Sequence, residues 1–489
     1  MPLTSFSRLI SQLAKADPDC LAVTCGDHTI TRQRLDSNSN RLARAYLQRG
    51  VKAGDFVTIA LPNSIEFFEA SIALWKIGAT PQPVSAKLPK KELQAIIGLA
   101  QPRLILGVEQ ELFKQHQILP VGFTPESTLS DEPLTDITTR YWKAPTSGGS
   151  TGRPKLIVSE VPGELDPESE SPFKQLANRV VLISGPLYHN GPFLWAMEGL
   201  MRGNHVVVMP KFDALRCLQL IEEYRVDWVF LVPTMMHRIW RLEQQERERY
   251  DLSSLRIVLH SAAPCPEWLK EAWINWLDPE TIHELYGGTE GSGTTWISGE
   301  EWLSHKGSVG KLLPGSQVKV VDPQGQSVAE GQMGELYFLP DTGQGSTYHY
   351  IGAEPTVLAG GWESLGDMGY IDKEGYLYLS DRKKDLIISG GANIYPAEVE
   401  AAIESHPAVR SCLVLGLPDD DLGQQVHAMV DAPGGLTQEA LCQYLAGQLV
   451  RYKIPRSAEF VDAPLRDDAG KARRSALVEE RQLAAAKRE

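Results

Sequence analysis

The chain has 489 residues, too many for a single hydrophobic core, so two or more domains are expected. It carries 62 acidic and 48 basic residues, a formal net charge of −14, which argues against general binding to nucleic acid or to an anionic membrane surface. With 42% hydrophobic and 22% charged residues it reads as a folded globular protein with no disordered tract.

The first residues, "MPLTSFSRLISQLAKADPDC", contain no uninterrupted apolar stretch and no cleavage signature. No segment reaches the ~18 uncharged apolar residues a membrane helix needs, so a cytoplasmic location without a membrane span is expected. The cysteines at 20, 25, 217, 265, 412 and 442 show no C-x-x-C spacing and read as reduced core thiols. "TRQRLDSNSNRLARAYLQRG" places Leu35, Leu42, Ala43 and Tyr46 on one helical face, and Gly50 suits its C-terminal cap. "FVTIAL" (56–61) predicts a buried strand, and 64–78 a helix from an N-cap at Ser64 to a stop at Gly78. "KELQAIIGLA" and "RLILG" repeat the alternation, as do the apolar runs 179–184, 205–210, 227–233 and 255–261 with "DALRCLQLIEEY" among them.

Strands alternating with helices predict largely parallel sheets covered by helices, with ligands beyond the carboxyl ends of the strands. After about residue 308, strand-like runs punctuated by Gly, Pro and Asp predict a small all-β unit. A charged break at 381–385 then precedes a mixed α+β segment. The expected fold is α/β: a large N-terminal domain, 1–380, of helix-covered mostly parallel sheets plus the β unit. A small mobile α+β C-terminal domain, 381–489, follows and ends in a charged helix.

Three stretches carry chemistry. "TSGGSTGRPK" (146–155) packs glycines, hydroxyls and one lysine as phosphate-holding loops do, yet Arg153 and Pro154 separate Gly152 from Lys155. It is not the common G-x-x-x-x-G-K-[ST] loop. "YGGTEG" (286–291) offers Tyr286 to stack on a base and Glu290 to ligate a hard cation such as Mg²⁺. Within 361–400, Asp367 lies between turn glycines where it can accept from two ribose hydroxyls, and Arg382 can meet a phosphate or ribose. Read singly, these are also a solvated surface loop, a plain turn and an exposed hairpin.

Together, and in this order, they resemble the core motifs of the adenylate-forming superfamily of acyl-CoA synthetases, aryl-CoA ligases, luciferases and peptide-synthetase adenylation domains. The resemblance covers nearly the whole chain, and "DRKKDLIISGGANIYPAEVE" is its longest match. It implies an enzyme that uses ATP and Mg²⁺ to convert a carboxylic acid to an acyl-adenylate plus pyrophosphate, and then passes the acyl group to coenzyme A. An amine, or a separate acyl carrier protein, is the alternative acceptor.

By resemblance, Thr146, Ser147, Gly148, Gly149, Ser150, Thr151, Gly152 and Lys155 hold the β- and γ-phosphates. Thr289 contacts the α-phosphate, Glu290 binds Mg²⁺, and Tyr286 with Gly287 and Gly288 receives adenine. Asp367 and Arg382 hold the ribose. "HSAAP" contributes Ser261, Ala262 and Ala263 along adenine and the acid pocket. "PLRDDAGKARRSAL" selects Lys471 as the catalytic lysine, and Asp381 is the hinge. Gly390 and Gly391 line a thiol channel after the small domain rotates. "PLYHNGPF" supplies His189 as the gating residue of the acid pocket, with Trp195, Met197 and Met201 downstream. No aspartate stands in that stretch, which disfavours a free α-amino acid and leaves an aromatic, polycyclic or fatty acid.

The chain departs from the family pattern at Gly148, where a hydroxyl is usual, at Leu156, where glycine is usual, and at Leu365, where threonine is usual. A nucleotide-binding regulator without catalysis is the reading from another class, and the presence of Lys155, Glu290 and Lys471 weighs against it. Oxygenation of the luciferase kind is open to this scaffold but demanded by nothing in the chain. The assembly state is not readable from the sequence, and a homodimer is carried as a working expectation.

Overall fold

The computed structural model describes residues 3–110, 113–146, 154–380, 385–419, 421–467, 470–472 and 474–486. Helices begin where a side chain can accept from an orphan backbone N–H. Thr31 caps Arg32–Gln48, Ser64 accepts from the Phe67 N–H at 3.3 Å to start Ile65–Trp75, and Asp213 starts Ala214–Tyr224. Gly78 stops the second of these with φ +71, a conformation costly for any residue with a Cβ.

The six apolar runs expected as strands each hold one, whereas Thr80–Pro83, Ile118–Leu119 and Ile282–Gly287 lie outside those runs. Phe56–Ile59 lies between Thr80–Pro83 and Leu104–Leu106 in a parallel four-stranded sheet that ends at Ile118–Leu119. A second, larger sheet holds six adjacent parallel strands: Leu21–Cys25, His205–Val208, Val180–Ile183, Trp228–Leu231, Ile257–His260 and Ile282–Gly287. They are apolar on both faces because helices cover both. Trp75, Phe67, Phe193 and Trp228 fill the shared core, each at most 1% exposed.

The predicted β unit after residue 308 continues this same sheet. Thr294–Ser298 turns antiparallel to Ile282–Gly287 and pairs with Ser308–Leu312, which pairs with Leu377–Leu379. Glycine and proline punctuation reads alike whether strands close on themselves or extend a neighbour, so the sequence could not distinguish the two.

A separate apolar cluster, from Ile387 to Leu445, forms the core of the small C-terminal domain. There Ser411–Asp419 and Gly423–Asp431 make a long antiparallel pair, joined by Ile387–Ser389 and Ser457–Val461 and packed by Pro396–Glu404. Among the described residues, no helix is long and apolar enough to cross a membrane.

Candidate functional site

The six parallel strands of the large sheet point their carboxyl ends to one edge, and several of the segments that leave them carry the predicted site. Tyr286 lies in Ile282–Gly287. Its hydroxyl donates to Asp367 Oδ2 at 2.8 Å, joining two motifs 81 residues apart. Asp367 is 8% exposed and follows Gly366, whose φ of +80 lets the turn close. The Tyr286 ring packs against Phe338 with centroids 6.3 Å apart, which fixes its plane. Gly288 has no room for a side chain: a Cβ there would stand 2.4 Å from Leu365 Cδ1 and 2.7 Å from Glu290 Oε2. Leu365, an unexpected residue by family pattern, thus covers Gly288.

Glu290 is 9% exposed. Its Oε1 accepts from the Tyr350 hydroxyl at 2.6 Å and lies 3.8 Å from Lys155 Nζ. The Lys155 ammonium also sits 3.5 Å above the Tyr350 ring. Strand pairing creates this triad: Leu156–Ser159 runs antiparallel to Tyr348–Ile351, so Tyr350 lies opposite Ile157, two residues from Lys155. Leu156 itself is fully buried against Ala144, Val158 and Ala100, which explains an apolar residue in place of glycine. Thr146 bridges to Leu156 and accepts from Gln82 Nε2 at 3.0 Å. Ser147, Gly148, Gly149, Ser150, Thr151 and Gly152 lie outside the described residues, as do Asp381 and Arg382.

The single carboxylate of Glu290 suits Mg²⁺, which binds through one or two carboxylates plus phosphate oxygens rather than an all-protein cage. Among the described residues, no group of three or more His, Cys, Asp or Glu could hold a metal.

On the acid side, His189 is the N-cap of Asn190–Met201, with its ring 4.4 Å from that of Tyr188. Burial, and then the charge of Lys471, pull its pKa down to about 3, so the imidazole is neutral. Its Nε2 lies 3.8 Å from Asp467 Oδ2 of the small domain. Trp195 is 3% exposed, among Phe173, Trp228 and Phe230. Its indole Nε1 and the Phe230 Cζ each lie 3.4 Å from where a Gly191 Cβ would stand, so the missing side chain leaves a gap there. Met197 and Met201 belong to the core. Ser261 and Ala263 are half-buried. Ala262 between them has φ +75, an uncommon left-handed conformation immediately beyond a strand end.

Lys471 reaches this edge from the small domain. Its N–H donates to Asp467 Oδ1 at 2.9 Å, and its carbonyl accepts from the Asp467 N–H at 2.9 Å. Gly470 makes the turn with φ +74 and abuts Thr234, 3.1 Å from the site of a Cβ. Arg466 donates to Glu400 at 2.8 Å and Arg474 donates to the same carboxylate, so the segment bearing Lys471 is tied to Pro396–Glu404 at both ends. Arg241 donates to the carbonyls of Pro407 and Val409, a second contact between the domains. Gly390 and Gly391 form the exposed two-residue turn between Ile387–Ser389 and Ala392–Ile394, both with positive φ, as a tight hairpin requires.

The sequence reading missed Tyr350, Gln82, Asn190 and Lys143. Lys143 is 6% exposed, donates to Asn190 Oδ1 and lies 4.4 Å from the Trp142 ring.

The family model of AMP-binding enzymes matches residues 10–341, and that of the AMP-binding enzyme C-terminal domain matches 398–471. A fatty acid–[acyl-carrier-protein] ligase of Streptomyces coeruleorubidus is 29% identical over 95% of this chain and 94% of its own. A 2-succinylbenzoate–CoA ligase of Bacillus licheniformis is 30% identical over 96% of this chain and 98% of its own. The solved o-succinylbenzoate CoA synthetase of Bacillus subtilis, in complex with its acyl-adenylate intermediate, superposes with a TM-score of 0.85 at 26% identity, covering 98% of each chain.

Proposed function

The chain belongs to the AMP-binding enzyme family, and on that premise we propose that it is an acid–thiol ligase. It joins a carboxylic acid to ATP as an acyl-adenylate and then transfers the acyl group to coenzyme A. One observation carries this reading furthest: the segment that bears Lys471 meets the strand-end cleft, where Asp467 Oδ2 stands 3.8 Å from buried His189 Nε2 and Gly470 abuts Thr234.

In the first step a carboxylate oxygen of the acid bonds to the α-phosphorus. The bond from that phosphorus to the bridging oxygen breaks, and pyrophosphate leaves with the electron pair. Two anions must meet, so fixed positive charge at the junction lowers the barrier. The Lys471 ammonium supplies it, and neutral His189 does not compete for the same anion. Magnesium, when bound through Glu290, neutralises phosphate charge. Lys155 and the 146–155 backbone hold the β- and γ-phosphates, and Thr289 the α-phosphate. Tyr286, packed against Phe338, presents its face to adenine beside Ala262, Ala263, Gly287 and Gly288. Asp367 and Arg382 take the ribose hydroxyls. Ser261, His189 and Trp195 border the acid.

In the second step the thiol gives up its proton, its sulfur bonds to the acyl carbon, and AMP departs. We take Asp381 as the pivot on which the small domain, 381–489, turns between steps, bringing the Gly390–Gly391 turn to the thiol channel. The succinylbenzoate of the Bacillus relative and the fatty acid of the Streptomyces relative support an aromatic or fatty substrate. The Streptomyces relative also supports a carrier protein as the alternative acceptor.

The test is incubation with Mg-ATP and a pooled acid panel, with and without coenzyme A, read by mass spectrometry. An acyl-CoA mass with AMP is expected. Acyl-AMP that accumulates without moving to coenzyme A sinks the acceptor assignment but not the adenylation. Absence of AMP with every acid sinks both.

A further inference from the structure

Among the described residues, three lysines of the large domain bury their side chains, and two of them have a counter-ion. Lys76, 3% exposed, has three acceptors for its three N–H groups: Asp36 Oδ1 at 2.6 Å, Asn40 Oδ1 at 2.7 Å and the Asp36 carbonyl at 2.9 Å. Lys270, 1% exposed, is paired with Glu284 Oε2 at 2.6 Å. Lys143 has the neutral Asn190 amide and the Trp142 ring, and no carboxylate within ion-pair distance among the described residues. The loop that follows it, 147–153, contains no acidic residue. Burying an ammonium without an anion costs several kcal/mol. Burial accordingly pulls the Lys143 pKa down to about 7, and Glu290 only partly opposes the shift.

The surroundings of Lys143 call for a negative charge. Asn190 is the first residue of the helix Asn190–Met201, which has no side-chain cap, so the positive helix end adjoins the same ammonium. Backbone pairing sets the segment beside the proposed metal-side carboxylate: the Lys143 carbonyl accepts from the Ser159 N–H at 3.1 Å and Thr146 bridges to Leu156, the neighbour of Lys155, whose Nζ lies 3.8 Å from Glu290 Oε1, itself engaged by Tyr350. On its other side, Asn190 adjoins His189 and the acid pocket. The group that belongs between the acid and the metal carboxylate is the phosphate at which they react.

We propose that Lys143 is a further catalytic residue, donating from within the large domain to an α-phosphate oxygen of ATP and of the acyl-adenylate. This rests on the adenylation reading above. Lys471 comes and goes with the small domain, whereas Lys143 remains with the nucleotide through both steps.

Calorimetric titration of AMP, adenosine and inorganic pyrophosphate into the wild-type protein and Lys143→Met tests it. Methionine conserves length and removes a charge that burial disfavours, so the unfolding midpoint should not fall. AMP affinity should weaken roughly ten- to a hundredfold, the range for a hydrogen bond to a charged group, while adenosine binding is unchanged. Lys143→Gln, which keeps an N–H donor, should lie between. Equal AMP affinity in all three proteins overturns the proposal. So does an equal loss for adenosine, which would mark a structural role, or a loss confined to pyrophosphate, which would place the ammonium on the leaving group. A wild-type protein that binds no AMP overturns the adenylation reading and this proposal together.

Discussion

The two walls of the cleft are built differently. On the large-domain wall, Glu290 and Asp367 are each at most 9% exposed, and each is held by a tyrosine hydroxyl anchored in a sheet or adjoining strand. On the small-domain wall, Lys471 is exposed and its N–H donates to Asp467, which is exposed too. Nucleotide recognition requires fixed geometry, which buried hydrogen-bonded carboxylates supply. A cation needed in one step only belongs on a body that can leave. On the proposed turning of the small domain between steps, the contrast predicts that changes on the small-domain wall alter one half-reaction, whereas changes on the large-domain wall alter nucleotide binding in both.

Lys471→Ala is the sharpest break in this comparison. It should slow acid-dependent pyrophosphate exchange by about 10²–10³, the range for loss of a preorganised electrostatic donor. The unfolding midpoint should be unchanged, and thioester formation from supplied acyl-adenylate should survive. Equal loss in both steps would mean that the lysine does not act through domain position. On the fixed wall, Glu290→Gln should raise the KM for Mg-ATP by roughly ten- to a hundredfold, as expected when a charge-assisted contact is lost. Because Lys155 and Tyr350 lose their charged partner, a lower unfolding midpoint should accompany the kinetic loss. An unchanged KM would remove Glu290 from the metal side.

The dryness of the large domain has a pH signature. Burial pulls the pKa of His260 down to about 4 and that of His283 to about 3; the His260 ring nitrogens have no hydrogen-bond partner among the described residues, and at His283 burial outweighs the backbone contact with Glu280. The unfolded chain takes up protons at these residues below about 6.5, where the folded chain does not. The unfolded state therefore binds more protons as pH falls, and stability declines from about pH 6.5 towards 4. His283→Leu should flatten part of that decline in unfolding midpoints measured at pH 7, 5.5 and 4.5. A parallel decline in wild type and variant would show that His283 contributes nothing to it.

Local order made much of this legible in sequence. Four of the parallel strands of the large sheet, Val180–Ile183, His205–Val208, Trp228–Leu231 and Ile257–His260, are short apolar runs between breakers and begin and end within two residues of those runs, whereas Leu21–Cys25 and Ile282–Gly287 stand outside them. Tyr286, Glu290 and Asp367 were readable because each sits in a short motif whose residue types already state a chemistry. Lys143 was not, because a lone lysine ahead of a glycine-serine loop looks solvated until the fold lays Asn190, 47 residues on, against it. Tyr350 was hidden for a related reason. Its position under Lys155 depends on the pairing of Tyr348–Ile351 with Leu156–Ser159, and no local pattern announces a partner strand so distant in the chain.

The smallest effect tests whether the walls are coupled by a latch. Arg241 follows Pro233–Trp240 on the large domain and donates to the carbonyls of Pro407 and Val409 on the small one. On the proposed rotation of the small domain between steps both bonds would break, so they would favour only the arrangement seen in this structure. A hydrogen bond from a charged group contributes about 1.5–3 kcal/mol where water is excluded, and Arg241 is exposed enough to retain only part of that. Arg241→Ala should therefore lower pyrophosphate exchange two- to fivefold and leave or raise the rate of thioester formation from supplied acyl-adenylate. The ratio of the two rates is the measurement, because a latch shifts populations between arrangements while general loosening lowers both rates together.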